Sequence, residues 1–291
     1  MSTTTAPTGP IALAPAPWKT EATVYMIPFW ISQGAAASLP VKVYHPLEAE
    51  SAFSSRAFGI PKGGFSLIML IRYHATPVGP YDEMAISPGF FEYPVEDEGG
   101  GKATKSAMRV TSLYVSQKYT CWNGRTIWNF PKHLAHFHWI DNPDGSTHIR
   151  VFPHDHTQPF DPASPPDPAT TKPFFQCTIS PIPLVPSFPF TSSILSYIGL
   201  DLKLVQPPLP DAGPSAHDRE LPGTEGWSAL IDYGMKTKKA TVMWGDFSQG
   251  EGEGEEFLPG MLGKKGVVTK LERAEAWFNV PERWDMPRHL L

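Results

Sequence analysis

Proline and glycine interrupt this chain so often that long helices have little room to form. Thirty-three prolines and 24 glycines are spread over 291 residues, and proline both fixes φ and removes a backbone donor. The segments between them are rich in aromatic and β-branched residues, which favour strands. We therefore expect a single domain that is mainly β (β-rich α+β), built as a β-sandwich or a closed barrel.

The strongest strand candidates are rich in aromatic and β-branched residues. They are Thr23–Ser32, Phe65–His74, Met108–Ser116, Ala135–Asp141, His148–Phe152, Phe174–Ile179, Lys203–Val205, Trp227–Tyr233, Ala240–Trp244 and Lys270–Phe278.

The turn Asn142-Pro-Asp-Gly145 predicts a hairpin that joins the strands on either side of it. Few helices are expected: Pro46–Ser55, part of Ser192–Gly199, and the turn around Lys132–His136. The Thr/Ala/Pro composition of residues 1–17 predicts a disordered N-terminal tail, with the β domain spanning residues 18–291.

Charge and cysteine content narrow the class of protein. The net charge of -5 offers no basic excess to neutralise phosphates, so nucleic acid is not an expected partner. Two cysteines form neither a disulfide framework nor a thiolate zinc site. No apolar run approaches the roughly 18–20 residues needed to cross a bilayer, and the N-terminus does not resemble a secretory signal. We expect a cytoplasmic protein without a membrane partner, and a homo-oligomer remains open.

One lysine stands among apolar neighbours in the sequence NGRTIWNFPKHLAHFH. Lys132 follows Trp128, Phe130 and Pro131 and precedes Leu134. An ammonium group in such surroundings loses hydration, which favours the free amine. A free amine condenses with ketones and aldehydes to form a Schiff base. The alternative is a surface lysine whose stem packs while its head reaches water.

A second motif, GPYDE, directly follows the apolar strand that ends at His74. A Gly-Pro turn at the entry to a buried segment can place Glu83 in a pocket, where a carboxyl group can handle protons. The alternative is a turn whose acids face water or cap a backbone N–H.

Together, GPYDE, the strand MRVTSLYVS and NGRTIWNFPKHLAHF resemble the acetoacetate decarboxylase-like superfamily in order and spacing. The resemblance covers about sixty residues of this chain, and implies a largely antiparallel β-barrel or cone with the pocket inside. It implies that Lys132 is the Schiff-base lysine and Glu83 an active-site glutamate. The matching residues are Tyr81, Glu83, Gly124, Arg125, Pro131 and Lys132.

The chain departs from the family pattern at three places. His133 stands where the decarboxylase has a second lysine, so desolvation has to be the main activating effect on Lys132. Phe65–Tyr73 contains no carboxylate, and Thr23–Ser32 contains no arginine to bind a substrate carboxylate. Arg72 or Arg125 could replace that arginine. These departures argue against acetoacetate itself more than against imine chemistry.

Four aromatic residues near the two motifs could line an apolar cavity suited to a bulkier ketone. They are Tyr81, Tyr114, Trp128 and Phe130, and Arg125 completes the predicted substrate-binding set.

Histidines also recur in pairs, at His136 and His138 and at His154 and His156. Period-two spacing puts each pair on one side of a strand, the arrangement of a three- or four-histidine metal site. No carboxylate ligands accompany them, and the second pair opens a polar, proline-rich loop. We therefore expect no metal and no cofactor. The sequence contains no nucleophile elbow, P-loop or dinucleotide fingerprint.

These observations predict a Schiff-base lyase that acts on a β-keto acid or related oxo-compound, a small-molecule carbonyl substrate larger than acetoacetate. Lys132 is the predicted nucleophile, Glu83 the group that moves the enamine proton, and His133 a helper. Two alternatives remain: an imine-independent cyclase or isomerase that uses Glu83 and His133, and a non-catalytic binder of an apolar ligand.

Overall fold

Fifteen strands, four short α-helices and four 3₁₀ turns make up the regular structure of the described part of the chain. The structure is a computed structural model, and it describes residues 10–285 except 97–100, 165, 167–169, 198, 218, 232 and 249–261. The strands are β1 (Trp18–Ile31), β2 (Ile60–Ala75), β3 (Tyr81–Ser87), β4 (Phe90–Glu96), β5 (Lys102–Met108), β6 (Ser112–Val115), β7 (Lys132–Asp141), β8 (Thr147–Pro153), β9 (Phe175–Pro181), β10 (Phe188–Thr191), β11 (Leu204–Gln206), β12 (Trp227–Leu230), β13 (Tyr233–Asp246), β14 (Lys265–Phe278) and β15 (Glu282–Trp284). The helices are α1 (Gln33–Ala36), α2 (Pro46–Ala49), α3 (Lys118–Trp128) and α4 (Ile194–Tyr197).

The strand pairings follow one continuous path. It runs β1-β14-β13-β9-β8-β7-β6-β3-β2, and β1 also pairs with β2, so the pairings of these nine strands return to their start. From β2 the sheet continues through β4, β5, β11, β12 and β15, while β10 pairs with β13. The predicted mainly β architecture is confirmed. The ring of pairings is antiparallel except between β6 and β7, which are parallel.

The parallel pair explains where α3 lies. Parallel neighbours need a crossover connection between them, and a helix usually supplies it. α3 is that connection, because it follows β6 and precedes β7. The crossover therefore delivers the chain to the first residue of β7, Lys132.

α3 begins and ends on side-chain and backbone caps. The Gln117 side chain accepts a hydrogen bond from the N–H of Thr120, which satisfies an otherwise unpaired donor of the first turn. At the other end, Asn129 adopts a left-handed φ of 54°, a conformation that asparagine tolerates well and that commonly ends helices. The Asn129 N–H donates to the Arg125 carbonyl at 3.1 Å. These caps set the point at which the chain turns into β7.

The sequence analysis missed α3 and placed a turn at Lys132–His136, which is strand in the structure. The predicted helix Pro46–Ser55 is reduced to α2 and a separate 3₁₀ turn at Ala52–Ser54. The predicted hairpin is confirmed: β7 and β8 pair from Ala135↔Pro153 to Asp141↔Thr147.

Part of the predicted N-terminal tail lies against α3. The Ala14 N–H donates to Asn123 Oδ1 at 2.8 Å, and Asn123 Nδ2 donates to the Ala12 carbonyl at 3.0 Å. Predicted disorder therefore does not extend over this stretch, because a buried asparagine pairs with its backbone. Residues 1–9 of the predicted tail lie outside the described residues. None of the helices in the described part of the chain has the length and apolar composition needed to cross a bilayer.

Apolar residues pack on both faces of the sheet. One cluster takes residues from all nine strands of the ring, among them Ile68, Met84 and Ala135. A second cluster packs the opposite face of β2, β3 and β6 against α3, and includes Ile71 and Leu134. Since successive residues of a strand point to opposite faces, neighbouring residues of β7 enter different environments.

Candidate active site

Lys132 begins β7 and is almost completely buried. It pairs with Leu113 of β6 and is 4% exposed. Its alkyl stem lies against α3 at Gly124: a Cβ at that glycine would meet Lys132 Cδ and Cε at 2.5 Å. No side chain fits there without moving the lysine. This contact gives a physical reason for the glycine that precedes Arg125 in the motif.

The Lys132 ammonium group has two hydrogen-bond acceptors. Nζ donates to Glu83 Oε2 at 2.8 Å and to Thr120 Oγ1 at 2.9 Å. The ring of Tyr81 lies 5.2 Å from Nζ, within the range of a cation–π contact. The side chains of Lys132 and Glu83 are only 5% and 6% exposed. The two residues singled out by the sequence motifs are thus in direct contact in a buried environment.

Glu83 lies on β3, and its second carboxylate oxygen faces a tyrosine. The Tyr73 hydroxyl donates to Glu83 Oε1 at 3.4 Å, and the rings of Tyr73 and Tyr81 lie 4.5 Å apart. Burial raises the pKa of both tyrosines well above the ordinary value, and the Glu83 charge raises them further. Both hydroxyls therefore stay protonated. We call Lys132, Glu83, Thr120, Tyr73 and Tyr81 the lysine face.

His133 lies on the other side of β7, next to a different carboxylate. Its Nε2–H donates to Glu48 Oε2 at 2.6 Å, and its ring stacks on His45 with a centroid separation of 3.4 Å. Burial lowers the pKa of His133 well below the ordinary value, and the charge of Arg125 and the neighbouring His156 lower it further. The ring is therefore neutral at physiological pH.

A third histidine completes this group. His156 Nδ1–H donates to Glu220 Oε1 at 2.6 Å, and its ring centroid lies 5.3 Å from that of His133. One ligand atom from each of His45, His133 and His156 lies within 4.8 Å of the others. Among the described residues, the histidines with the geometry to hold a metal thus share only His156 with the two histidine pairs that the sequence analysis considered for a metal site. We call His45, His133, His156, Glu48 and Glu220 the histidine face.

Arg125 connects the two faces through its guanidinium group. Nη1 donates to Glu48 Oε1 at 2.9 Å and to the Lys132 carbonyl at 3.2 Å. Nε donates to the Pro222 carbonyl and Nη2 to the Pro210 carbonyl. Arg125 is fully buried, and each guanidinium nitrogen has a protein partner. Its contacts hold the backbone of Lys132 and do not extend to Nζ.

The remaining predicted site residues are dispersed. Tyr114 pairs with His133 in register and lies 4.6 Å from Phe174, centroid to centroid, on the side of β6 opposite the lysine. Trp128 packs edge-on against Trp18 at 5.1 Å and donates from Nε1 to the Asn279 carbonyl. Phe130 stacks on Trp128 at 6.1 Å. These two aromatics pack in the core around the end of α3.

Arg72, the other arginine considered for substrate binding, lies on the surface, where it pairs with Asp82 and Asp141 at 3.8 and 3.5 Å.

Several residues of both faces escaped the sequence analysis. Thr120 and Tyr73 carry no motif, and Glu48 lies 85 positions from His133 in sequence. Glu220 lies 64 positions from His156, and the stacked rings of His45 and His133 are also far apart in sequence. Only the fold brings them together.

Solved structures with the same fold are acetoacetate decarboxylases and related enzymes. The acetoacetate decarboxylase of Legionella pneumophila subsp. pneumophila str. Philadelphia 1 aligns with a TM-score of 0.50 and 11% identity, over 98% of this chain and 90% of that one. The enduracididine biosynthesis enzyme MppR, complexed with the condensation product of pyruvate and imidazole 4-carboxaldehyde, aligns with a TM-score of 0.51 and 14% identity, over 94% and 91%. An acetoacetate decarboxylase-like enzyme from Sphingomonas wittichii RW1 aligns with a TM-score of 0.51 and 9% identity, over 93% of each chain.

The chain matches no sequence-family model, and no curated protein matches it in sequence. At these identities the structural likeness establishes the acetoacetate decarboxylase-like fold, and a shared fold does not determine a reaction. Conclusions about chemistry therefore have to come from the lysine face itself.

Proposed function

We propose that this protein is a Schiff-base lyase that acts on a β-keto acid or related oxo-compound, with Lys132 as the nucleophile in an apolar pocket of a closed barrel. The observation that carries the proposal is the buried contact between Lys132 Nζ and Glu83 Oε2 at 2.8 Å. A lysine held beside a carboxylate away from bulk water can lose its proton without a mobile base. The fold likeness to acetoacetate decarboxylases and MppR supports the same reading.

The first chemical step is the activation of the amine. Glu83 accepts one proton from the Lys132 ammonium, which leaves a neutral amine with a lone pair and a neutral carboxyl group. The amine attacks the substrate carbonyl carbon, and the carbinolamine that forms loses water to give a protonated imine. The Glu83 proton is then available for the departing hydroxyl.

The protonated imine lowers the barrier to cleavage of a nearby bond. Its positive nitrogen accepts the electron pair released when a β-carboxylate leaves as carbon dioxide, which gives a neutral enamine. Glu83 is again a carboxylate after the dehydration step, and it takes from solvent the one proton that decarboxylation consumes overall. It passes this proton to the enamine carbon, and water then hydrolyses the new imine to release the product and Lys132. A retro-aldol or dehydration step uses the same electron sink with a different bond broken.

The two tyrosines support Glu83 in this scheme. Tyr73 hydrogen-bonds the Glu83 oxygen that does not contact Lys132, so it stabilises the carboxylate form while Oε2 faces the lysine. Since burial keeps the Tyr73 and Tyr81 hydroxyls protonated, both act as donors and not as bases. We assign them a positioning role around the proton carrier.

The contacts of the arginines bear on the substrate class. Arg125 donates to Glu48 and to backbone carbonyls, and we propose that it positions Lys132 and does not bind substrate. A substrate recognised mainly by apolar contact fits these surroundings better than acetoacetate. Tyr81, which borders Nζ, is the aromatic residue that we propose contacts it.

Turnover of a substrate panel tests the proposal. Carbon dioxide release and aldehyde formation are measured with small and aryl-substituted β-keto acids and β-hydroxy ketones for wild type, Lys132→Ala and Lys132→Arg. We expect turnover in the wild type and background rates in both variants, because a guanidinium stays protonated and cannot form an imine. Equal turnover in Lys132→Ala would instead favour acid–base catalysis by Glu83.

A further inference from the structure

The histidine face is a second cluster of functional side chains, distinct from the lysine face and not used by the proposed lyase reaction. We propose that His45, His133 and His156 form a binding site for one divalent transition-metal ion of the zinc class. Imidazole nitrogens suit zinc and its neighbours in the first transition row, whereas magnesium and calcium prefer oxygen ligands.

Two imidazole nitrogens of the histidine face have no hydrogen-bond partner in the described part of the chain. His133 Nδ1 and His156 Nε2 are both buried and without a hydrogen-bond partner, and His133 as a whole is 0% exposed. A buried polar atom without a partner loses its hydration and gains nothing in return. A metal ion that accepts the lone pairs of both nitrogens removes that cost.

Two of the three rings also hydrogen-bond a carboxylate through their other nitrogen. His133 donates from Nε2 to Glu48, and His156 donates from Nδ1 to Glu220, both at 2.6 Å. In the neutral rings this fixes the proton on the bonded nitrogen and leaves the lone pair on the other. Metal-ligating histidines almost always have such an outer partner, which orients the ring and makes it more basic. His133 and His156, two of the three proposed ligands, thus already have the tautomer and the outer partner that metal binding requires.

His45 is the adjustable third ligand. Its Nδ1 accepts a long hydrogen bond of 3.3 Å from the Leu47 N–H, and Glu48 Oε2 lies 3.8 Å from the same nitrogen. Coordination through Nε2 moves the ring proton to Nδ1, on the side of that carboxylate. Two stacked rings cannot both aim a lone pair at one ion, so His45 has to turn. Its side chain is 22% exposed, which leaves it room to do so.

Charge also favours a cation at this position. Glu48 and Glu220 carry two negative charges next to the rings, while Arg125 offsets one through its pair with Glu48. A dication therefore enters a group whose carboxylates are not fully neutralised. Three protein ligands leave a fourth position open for water or a ligand oxygen, as in zinc sites that bind small molecules.

Zinc binding is measured on protein first dialysed against EDTA and then given zinc chloride, by equilibrium dialysis with metal analysis. We expect one zinc per chain and, by X-ray absorption, imidazole nitrogens at about 2.0–2.1 Å from the metal. His156→Asn and His45→Asn should each weaken binding by more than tenfold, and Glu220→Gln by about 10- to 100-fold. Asparagine at position 45 can still accept the Leu47 hydrogen bond, so the N-terminus of α2 is kept.

His148→Asn is the matched control. His148 lies on β8 outside the cluster, where it hydrogen-bonds Arg150 of the same strand and Thr178 of β9. It should bind zinc as the wild type does. Absence of stoichiometric zinc in the wild type, or equal affinity in His156→Asn and His148→Asn, would overturn the proposal and leave nonspecific binding by surface histidines. The readout needs no turnover, so failure of the lysine chemistry would not affect it.

Discussion

Lys132 and His133 are adjacent in sequence, yet their side chains lie on opposite faces of β7. The two faces differ in how a buried carboxylate is balanced by positive charge. On the lysine face a buried cation is balanced by a buried carboxylate, Glu83. On the histidine face the ring is neutral and the carboxylate, Glu48, is balanced by Arg125. Strand alternation therefore separates the two side chains of the Lys-His dipeptide, and each contacts a carboxylate of its own.

In the proposed mechanism, proton transfer at Nζ therefore depends on Glu83 and not on His133. His133 bonds Glu48 through Nε2, and its link to the lysine runs through Glu48, Arg125 and the Lys132 backbone. We therefore assign to His133 no proton-transfer role in the lyase reaction. The helper role that the sequence predicts for His133 is left out of the proposed mechanism and stays to be tested by kinetic analysis.

The largest effect that would test the comparison is on stability. Lys132→Met leaves Glu83 buried without its cation, which should cost about 3–5 kcal/mol in free energy of unfolding, because breaking a buried pair strands a charge. The double variant Lys132→Met/Glu83→Leu removes both charges and should recover most of that loss. Urea denaturation of Lys132→Met, Glu83→Leu and the double variant measures it. If the loss of unfolding free energy in the double variant equals the sum of the losses in the two single variants, the two groups are not coupled.

A second test acts on the lysine face alone. Gly124→Ala places a methyl group 2.5 Å from Lys132 Cδ and Cε, so the lysine stem has to move. A displacement of the amine by roughly 1 Å should lower turnover about 100-fold. Gly34→Ala is the control, since nothing lies within 4 Å of a Cβ there. Normal turnover in Gly124→Ala would mean that the position of the stem is not critical.

A smaller effect is expected from removing the Thr120 hydroxyl, which accepts a hydrogen bond from Lys132 Nζ, as Glu83 also does. Thr120→Val removes an acceptor at 2.9 Å and should cost about 1 kcal/mol, roughly fivefold in an equilibrium or rate. Thr126→Val on the same helix is the matched control, because Thr126 Oγ1 is buried without a hydrogen-bond partner. Equal losses in both variants, read from thermal unfolding and from turnover, would assign the effect to the helix and not to the lysine.

The smallest effect concerns Asp82, the neighbour of Glu83 on β3. Burial raises the pKa of Asp82 to about 6, against the opposing charge of Arg72. The folded state therefore holds a proton that the unfolded state has released between about pH 4 and 6, so this group makes stability fall as pH rises through that window. Asp82→Asn should flatten that slope, by on the order of 1 kcal/mol. Unfolding at pH 4 and pH 7 measures it, with Glu275→Gln on the surface as control.

Local sequence predicted the elements whose signals are local. The Asn142-Pro-Asp-Gly145 turn predicted the β7–β8 hairpin, and a run of apolar residues within Phe65–His74 predicted β2. The two motifs identified Lys132 and Glu83, which the structure brings into contact. Each of these signals lies within about ten consecutive residues.

The rest depended on contacts between distant segments. α3 contains Asn123, Gly124 and three β-branched residues, which lower helix propensity. Caps and tertiary contacts, such as those of Asn123 with Ala12 and Ala14, stabilise it instead. The histidine face is assembled from positions 45, 48, 133, 156 and 220, and no spacing rule links them. The positioning role that we propose for Arg125 has the same origin, because its partner Glu48 lies 77 positions away.

Covalent trapping tests the central claim most directly. Wild type, Lys132→Ala and Glu83→Gln are incubated with oxo acids such as pyruvate and acetoacetate, reduced with borohydride and analysed by peptide mass spectrometry. The account predicts a reduced adduct on Lys132 in the wild type, none in Lys132→Ala, and slower labelling in Glu83→Gln, where no carboxylate removes the ammonium proton. Imine catalysis would be contradicted if Lys132 stayed unmodified with every substrate that the protein turns over, while labelling was spread over surface lysines.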